Sequence, residues 1–548
     1  MPVRSLAPDL VILGAAITTM DDANPRAAAV AVKDGRFVAV GSDDEVAPLA
    51  GAGTTVIRLS GAPVVPGIID AHNHLLSTGR MLREVQLYDC RTIGEIQQRV
   101  AERVAQTPAG AWIVGRGWDE SLLDERRHPT RHDLDAVAPD NPVVIHRVWN
   151  KLVCNSAALR EAGISAESPD PPADVLYSGS FERDADGEPT GLFRDRAKEL
   201  ILDHVPAPSE DDLVAQIAAG CAAYNALGIT AVCEPGLYPD EIRAFHRAHR
   251  EGRLTVRTDM LLAGWGFGKP ETETALQEQF AGTGLAGGLG DDWLRLEGVK
   301  MMPDGGMSDR TAKMFEPYLD EPGNRGTWTV EPSRLVELIR WVHDLGWAMD
   351  IHTCGDEAQE VVVRAYADAQ RANPKPWLRH RVHHAYFPTA EALRVMAEFR
   401  IPAVVSSPFL TNLGEGFVNS VGPERASRAM PMRTYLDAGV PLAGSSDSPI
   451  TDFNPWVGMA AAVNRRTVAG RDLGANEALT AEEALRSYTT GGAFVSGREG
   501  RIGRIAPGLL ADLVVLDRDP LAVAPEDLAG VRPVATMAGG AWVFGAVE

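Results

Sequence analysis

The segment Val64–His74 is an apolar, β-branched stretch that ends in two histidines, His72 and His74, spaced two residues apart. On a β-strand this spacing puts both imidazole rings on one face, because side chains alternate between faces. Neutral imidazole is the commonest protein ligand of divalent metals, so one rigid strand could hold two metal-binding groups. Two ordinary polar residues at a strand end would give the same pattern, and further ligands must decide between these interpretations.

Further residues of metal-ligand type occur where later apolar segments end. Four imidazoles and one carboxylate suit Zn2+ or a similar divalent cation, at one or two ions per chain. A lysine ammonium only donates hydrogen bonds, so a lysine among them is either a salt-bridging residue or a carbamylated, anionic one. The candidate metal ligands are His72, His74, Lys300, His352, His384 and Asp447.

Asp447 has a second chemical capacity, because a carboxylate can bind a metal and also accept a proton from the activated water. We therefore predict that Asp447 is the catalytic residue. The other histidines are interpreted as surface or structural residues, apart from His383, which is treated below. These are His128, His132, His146, His204, His246, His249, His343 and His380.

The candidate ligands need a scaffold that brings distant strand ends together. Eight apolar segments alternate with helix-like segments in residues 63–84 and 211–494, which is the count for a closed (β/α)8 barrel. Active sites of such barrels lie at the carboxyl ends of the strands, where the ligands of predicted strands one, four, five, six and eight would meet. The predicted strands are Ile68–Ala71, Ile229–Cys233, Thr255–Leu262, Leu294–Met302, Ala348–His352, His380–Ala385, Ile401–Ser406 and Pro441–Gly444.

Two further regions surround the predicted TIM barrel. Short β-rich segments in residues 1–62 and 495–548 predict a small β-sandwich domain formed by both ends of the chain. Residues 85–210 separate the first barrel strand from the second, and no single connecting helix needs that length. We interpret them as an inserted α/β subdomain over the barrel mouth.

The composition of the chain limits the kinds of molecule that it is expected to bind. The chain has 548 residues and a formal net charge of −22, which argues against nucleic acid or an anionic membrane surface. It shows no stretch of about 18 apolar residues and no signal peptide, so we expect no membrane span. Five scattered cysteines predict a reducing compartment rather than a disulfide framework. We expect a cytoplasmic protein with a small-molecule substrate.

Several further motifs are spread along the chain. They are Pro66–His74, Gly115–Asp119, His128–Thr130, Asn155–Leu159, Gly298–Lys300 with Asp304, Gly444–Pro449 and Gly503–Asp517. Together these motifs resemble the amidohydrolase superfamily, in the branch that contains N-substituted formamide deformylase. The resemblance covers nearly the whole chain and is specific for the family rather than for a substrate.

This resemblance implies roles for the candidate ligands. His72 and His74 would bind one metal together with Asp447, and a second metal would lie on His352 and His384. Lys300 would be the carbamylated bridge between the metals, a role that rests on the resemblance alone. A homodimer is an expectation of the same kind.

The chain departs from the branch at two positions. Asn150 holds the place of a usual histidine, and His383 holds the place of a usual glutamate beside His384. On a regular strand His383 would point to the face opposite His384, so we expect it to pack or to support the ligands rather than bind metal. The candidate substrate-binding residues are Trp118, Asn150, Met302, Asp304 and His383.

The sequence thus predicts a metal-dependent hydrolase of an amide-type C–N bond, with activated water as nucleophile and Asp447 as general base and acid. Hydrolysis of an ester, lactone or carbamate at the same site is one alternative. Another is an isomerase or lyase whose metal stabilises an enolate. A third is a non-catalytic barrel that binds a small molecule.

Overall fold

In the computed structural model of the chain, the described residues are 7–147, 151–170, 179–266, 278, 280–282 and 284–547. Eight parallel strands, named β1 to β8 here in chain order, are hydrogen-bonded in that sequence into one sheet. The strands are β1 (Ile68–Asp70), β2 (Ile229–Leu237), β3 (Arg257–Ala263), β4 (Leu294–Met301), β5 (Ala348–Thr353), β6 (Arg381–His384), β7 (Ala403–Val405) and β8 (Leu442–Gly444).

The sheet curls back on itself, so that its first and last strands meet. The amide of Ala71, just after β1, donates to the carbonyl of Gly444 at the end of β8 over 3.1 Å. The Asp70 carboxylate accepts the Ser446 amide at 3.1 Å and the Ser446 hydroxyl at 2.6 Å. The predicted (β/α)8 TIM barrel is confirmed.

The helices that connect the barrel strands have recognisable ends. The Thr389 hydroxyl caps one helix by accepting the Ala392 amide, and Gly346 ends another with a φ of 88°, a conformation that glycine adopts readily. The helices that follow β1 or lie between later strands are Leu75–Arg83, Glu210–Asn225, Pro239–Arg250, Pro332–Leu345, Asp356–Ala372, Ala390–Phe399, Pro408–Val421, Pro423–Ala426 and Met432–Asp437. Those that follow β8 are Pro455–Asn464, Ala481–Arg486 and Gly492–Val495.

Of two smaller sheets, one consists of N-terminal segments and the other contains segments from both ends of the chain. Residues of both sheets, including Ile12, Phe37, Val64 and Leu513, belong to one buried apolar cluster, so the sheets pack face to face as a β-sandwich. A short helix, Asp43–Val46, precedes the last strand of the first sheet. In spatial order, one sheet has strands Arg36–Gly41, Ala29–Lys33, Leu10–Leu13 and Thr55–Arg58, and the other has Ala541–Phe544, Pro533–Ala538, Leu513–Leu516, Pro63–Pro66, Ala16–Thr18 and Arg26–Ala27.

A buried ion pair ties the sandwich to the barrel. Arg257 on β3 donates from Nε and Nη2 to the two carboxylate oxygens of Asp512, at 2.7 and 2.8 Å. The ring of Trp293 lies 4.3 Å from the Arg257 guanidinium carbon, and the Gly539 amide donates to Asp512 Oδ1 at 2.7 Å. The bidentate pairing and the further partners compensate for burying both charges.

Residues Thr78–Ala219 form a second compact unit of the chain. Its six-stranded sheet is covered by a buried apolar cluster that includes Ile96, Leu134 and Ile145. Helices of this unit are Ile93–Val104, Arg131–Asp135, Ser156–Glu161 and Glu199–Leu202. Its strands, in spatial order, are Ser180–Arg183, Pro189–Arg194, Lys151–Cys154, Val143–His146, Ile113–Arg116 and Val85–Gln86.

The sequence predicts that the chain has no disulfide framework and no membrane span. All five cysteines are buried and free of disulfides. Among the described residues, no helix has the length and apolar character needed to cross a membrane.

Candidate metal centre

Asp447 lies among three imidazole groups at the carboxyl ends of the barrel strands. Its Oδ1 is 3.6 Å from His72 Nε2 and 3.5 Å from His74 Nε2, and its Oδ2 is 4.0 Å from His384 Nε2. The backbone of Asp447 has a φ of 54°, and its amide donates to the His72 carbonyl at 2.9 Å. This turn after β8 is thus bonded directly to the end of β1, which aims the carboxylate at the histidines.

Asp350 orients the His72 ring. The Asp350 carboxylate accepts a hydrogen bond from His72 Nδ1 at 3.0 Å, and both side chains are almost completely buried. Because a carboxylate only accepts, Nδ1 carries the proton and the lone pair of Nε2 is left facing Asp447. A carboxylate behind a histidine is a common way to fix the tautomer and raise the basicity of a metal ligand.

Asp350 also joins two cations beneath the site. Lys300 Nζ on β4 donates to its Oδ1 at 3.0 Å, and Arg381 Nε on β6 donates to its Oδ2 at 3.1 Å. Arg381 in turn pairs with Glu297 at 3.0 and 3.2 Å. Burial acts to raise the pKa of Asp350, but the charge of Lys300, the hydrogen bond from His72 and the charge of Arg381 hold it well below its usual value. Asp350 is therefore an anion that holds the site together.

His383 differs from its expected position. A φ of 70° at His384 and of 48° at Ala385 ends the regular strand, so the alternation of side chains does not continue through this pair. The His383 ring stacks on the His72 ring with 3.3 Å between centroids, and its centroid is 3.8 Å from that of His384. Both imidazoles of β6 consequently reach the site. Ligand atoms of His72, His383 and Asp447 lie within 4.8 Å of one another.

The state of Lys300 and the role of His383 are coupled. Lys300 Nζ is 3.2 Å from His383 Nδ1, and His383 Nε2 is 3.4 Å from the Ser406 hydroxyl. An ammonium only donates, so His383 Nδ1 accepts from it and Nε2 carries the proton. While Lys300 is an ammonium, both ring nitrogens of His383 are engaged. Carbamylation of Lys300 stays a prediction, and it would replace the ammonium by an anionic carbamate that keeps a single N–H.

A second group of donors lies beside the first. Ligand atoms of His352, Cys354 and His384 are within 4.8 Å of one another, and all three side chains are buried. The rings of His352 and His384 meet edge to face with 4.4 Å between centroids. Sequence reasoning missed Asp350 and Cys354, although the alternation on β5 points to both. Asp350, His352 and Cys354 are spaced two residues apart and share one face of the strand.

Asp304 fixes the loop after β4 against the end of β5. Its carboxylate accepts the amides of Lys313 at 3.0 Å, Gly355 at 2.8 Å and Cys354 at 3.4 Å. A Cβ on Gly355 would lie 1.8 Å from the Lys313 carbonyl oxygen, so only glycine permits this approach. Asp304 is completely buried, and burial raises its pKa to about 7. Asp304 Oδ1 also lies 3.6 Å from His352 Nε2, so Asp304 positions this loop beside a candidate ligand, and its role in binding substrate stays a prediction.

The remaining candidate substrate residues have different outcomes. The Trp118 side chain is completely buried in the apolar cluster of the second unit, and its Nε1 donates to the Ile145 carbonyl at 3.2 Å. Its role in binding substrate stays a prediction. Met302 is half-buried directly after β4, where its amide donates to the Trp265 carbonyl at 2.9 Å. Asn150 lies outside the described residues.

The donor set fits a divalent cation. His384 Nδ1 is buried and has no hydrogen-bond partner within the described part of the chain, an arrangement that is unfavourable unless a ligand satisfies it. His352 Nε2 lies 3.1 Å from the Gly305 carbonyl, which only accepts, so Nδ1 keeps a free lone pair. Neutral imidazoles beside a carboxylate are the groups that bind Zn2+ and similar ions.

Stability of the metal-free protein should depend on pH through these imidazoles. Burial, with a further contribution from the charge of Lys300, lowers the pKa of His72 and of His352 to about 4. The unfolded chain takes up protons near pH 6.5, whereas these folded imidazoles do not. The free energy of unfolding should therefore fall as the pH drops from 6.5 towards 4, by on the order of 3 kcal/mol per imidazole.

Urea unfolding in the presence of a chelator, between pH 8 and pH 5, measures this slope. His72→Gln should make the slope shallower, whereas His132→Gln, at an exposed position in the second unit, should leave it unchanged. A slope that His72→Gln does not alter would contradict the assignment.

Comparison with known proteins places the chain among metal-dependent hydrolases. A model described as Amidohydrolase family matches residues 55–544. N-substituted formamide deformylase from Arthrobacter pascens is 30% identical over 554 residues, covering 97% of this chain and 97% of that protein. A crystal structure of an uncharacterized metal-dependent hydrolase from Pyrococcus horikoshii OT3 has a TM-score of 0.77 at 25% identity, covering 94% of this chain and 99% of its own. Another, from Pyrococcus furiosus, has a TM-score of 0.76 at 28% identity, with coverage of 93% and 99%.

Proposed function

The chain belongs to the amidohydrolase family, and on this premise we propose that it hydrolyses an amide-type C–N bond of a small molecule with the help of a divalent metal, Zn2+ by the nature of the donors. The convergence of three imidazoles on the Asp447 carboxylate, at 3.5 to 4.0 Å, carries this proposal. The name of the Arthrobacter relative, which specifies an N-substituted formamide, supports an amide as the substrate class.

The residues of the proposed active site have two roles. Several would bind the metal, and one, Asp447, would transfer a proton. His72, His74, His352 and His384 would hold the metal, with Asp350 keeping His72 Nε2 unprotonated. When bound, a divalent cation lowers the pKa of water towards 7 and polarises a carbonyl group. Asp447 then accepts a proton from the attacking water and delivers it to the leaving nitrogen, so that a neutral amine departs. His383 and Lys300 support the metal ligands from the side of Asp350.

The reaction class can be tested with pairs of substrates that share one acyl group. We expect the zinc-loaded enzyme to release amine from N-substituted formamides and related amides in H2 18O, with one 18O atom in the carboxylate product. A chelator-treated sample is the control and should be inactive. Turnover of esters with no turnover of matched amides would contradict the bond type. A product without 18O would contradict hydrolysis and point to isomerase or lyase chemistry.

A further inference from the structure

Cys354 extends the ligand face of β5 by one alternation. His352 lies within the strand and Cys354 follows two residues later, so both side chains project from the same face. The Cys354 sulfur and the ring nitrogens of His352 and His384 lie within 4.8 Å of one another. Cys354 is 2% exposed, so it is almost completely shielded from solvent.

The neighbours of this cluster leave donor atoms free. His384 Nδ1 has no partner among the described residues, and His352 directs only Nε2 to the Gly305 carbonyl. Two ring nitrogens and one sulfur therefore converge in a buried place.

We propose that Cys354 is a metal ligand, binding as a thiolate together with His352 and His384. The thiol loses its proton to solvent when the metal binds, and the sulfur lone pair forms the bond to the ion. The proposal rests on the metal dependence of the proposed function but not on its bond type. A donor set of two nitrogens and one sulfur selects a borderline ion such as Zn2+ over Mg2+ or Mn2+.

The two donor groups thereby differ in chemical character. His72, His383 and Asp447 offer nitrogen and oxygen, whereas His352, Cys354 and His384 offer nitrogen and sulfur. The competing interpretation is that Cys354 packs as a small apolar residue, which is how buried cysteines commonly behave. Under that interpretation the sulfur makes no bond to an ion, and His352 and His384 bind the metal without it.

Cobalt substitution separates the two interpretations, because a thiolate bound to Co2+ produces a charge-transfer absorption band in the near ultraviolet. We expect this band in the full-length cobalt protein and in Cys221→Ser, a change at a buried cysteine of the helix Glu210–Asn225. Cys354→Ser should lose the band, and its zinc affinity should fall by about 100-fold or more, beyond the usual effect of residues that only support ligands. An unchanged band and an unchanged zinc affinity in Cys354→Ser would overturn the proposal.

X-ray absorption of the wild-type zinc protein provides a measurement that needs no variant. A zinc–sulfur shell at about 2.3 Å is expected, and a shell of nitrogen and oxygen alone would overturn the proposal even if Cys354→Ser failed to fold. The outcomes stay separate from those of the proposed function. Amide hydrolysis by a zinc protein without sulfur coordination refutes only the role of Cys354, and sulfur coordination without amide hydrolysis refutes only the reaction.

Discussion

Replacement of Asp447 by asparagine is expected to lower kcat by about 10²- to 10⁴-fold, the usual contribution of a positioned acid or base. The amide keeps the size and one ligand oxygen of the carboxylate but cannot accept a proton. Most of the metal should therefore remain bound, because the imidazoles around Asp447 are unchanged. Steady-state kinetics, paired with metal content from plasma mass spectrometry, measures both effects.

A matched control is Asp437→Asn, which makes the same chemical change in an exposed carboxylate at the end of the helix Met432–Asp437. Its kcat and metal content should equal those of the wild type. A near-wild-type kcat in Asp447→Asn would show that another group moves the proton. Loss of all metal from Asp447→Asn would instead assign the aspartate a mainly metal-holding role.

Replacement of Asp350 by alanine should weaken both metal binding and the fold. The substitution leaves Lys300 and Arg381 without their shared carboxylate and frees the His72 ring to rotate. Breaking a buried charge pair from one side costs about 3–5 kcal/mol of unfolding free energy. Loss of a partner that orients a metal ligand typically lowers metal affinity by about 10- to 100-fold. Denaturant unfolding and zinc competition with a chromogenic chelator measure the two effects.

The variant Asp259→Ala is the control for Asp350→Ala, because it should change the free energy of unfolding without changing zinc affinity. Asp259 on β3 is a buried carboxylate that pairs with Arg295 Nε at 2.9 Å and with Arg498 Nη2 at 3.2 Å. Its removal should lower stability by a similar amount and leave zinc affinity unchanged. Equal losses of zinc affinity in Asp259→Ala and Asp350→Ala would mean that Asp350 acts only through the stability of the barrel.

The barrel could be predicted from sequence because its signals are local. Each predicted barrel strand overlaps an observed one, as Leu294–Met302 does with β4, since a short apolar run before a helical pattern identifies a parallel strand. The position of the ligands followed from the rule that active sites lie at the carboxyl ends of barrel strands. Asp447 and the three imidazoles around it could therefore be identified as candidates without knowledge of the side-chain packing.

The roles of the residues that support the candidate ligands depend on contacts between different strands, which the sequence alone does not show. Asp350 looks like any acid within an apolar strand until Lys300 and Arg381, from two other strands, are seen to converge on it. The orientation of the His383 side chain was predicted from regular alternation along the strand. The positive φ at His384 interrupts this alternation. Trp118 lies within a motif of the family resemblance, and that motif does not predict its burial in an apolar cluster of its own unit.

The pairing within the β-sandwich has a consequence for synthesis on the ribosome. Val64 is in register with Val515, so the central pair of the six-stranded sheet joins segments separated by nearly the whole chain. At 5–20 residues per second, about 450 residues take roughly 20 to 90 s to translate. During that time the apolar strand Pro63–Pro66, which leads straight into β1 and His72, has an unpaired edge. Nascent chains of this protein should therefore be clients of chaperones that shield exposed strand edges until translation ends.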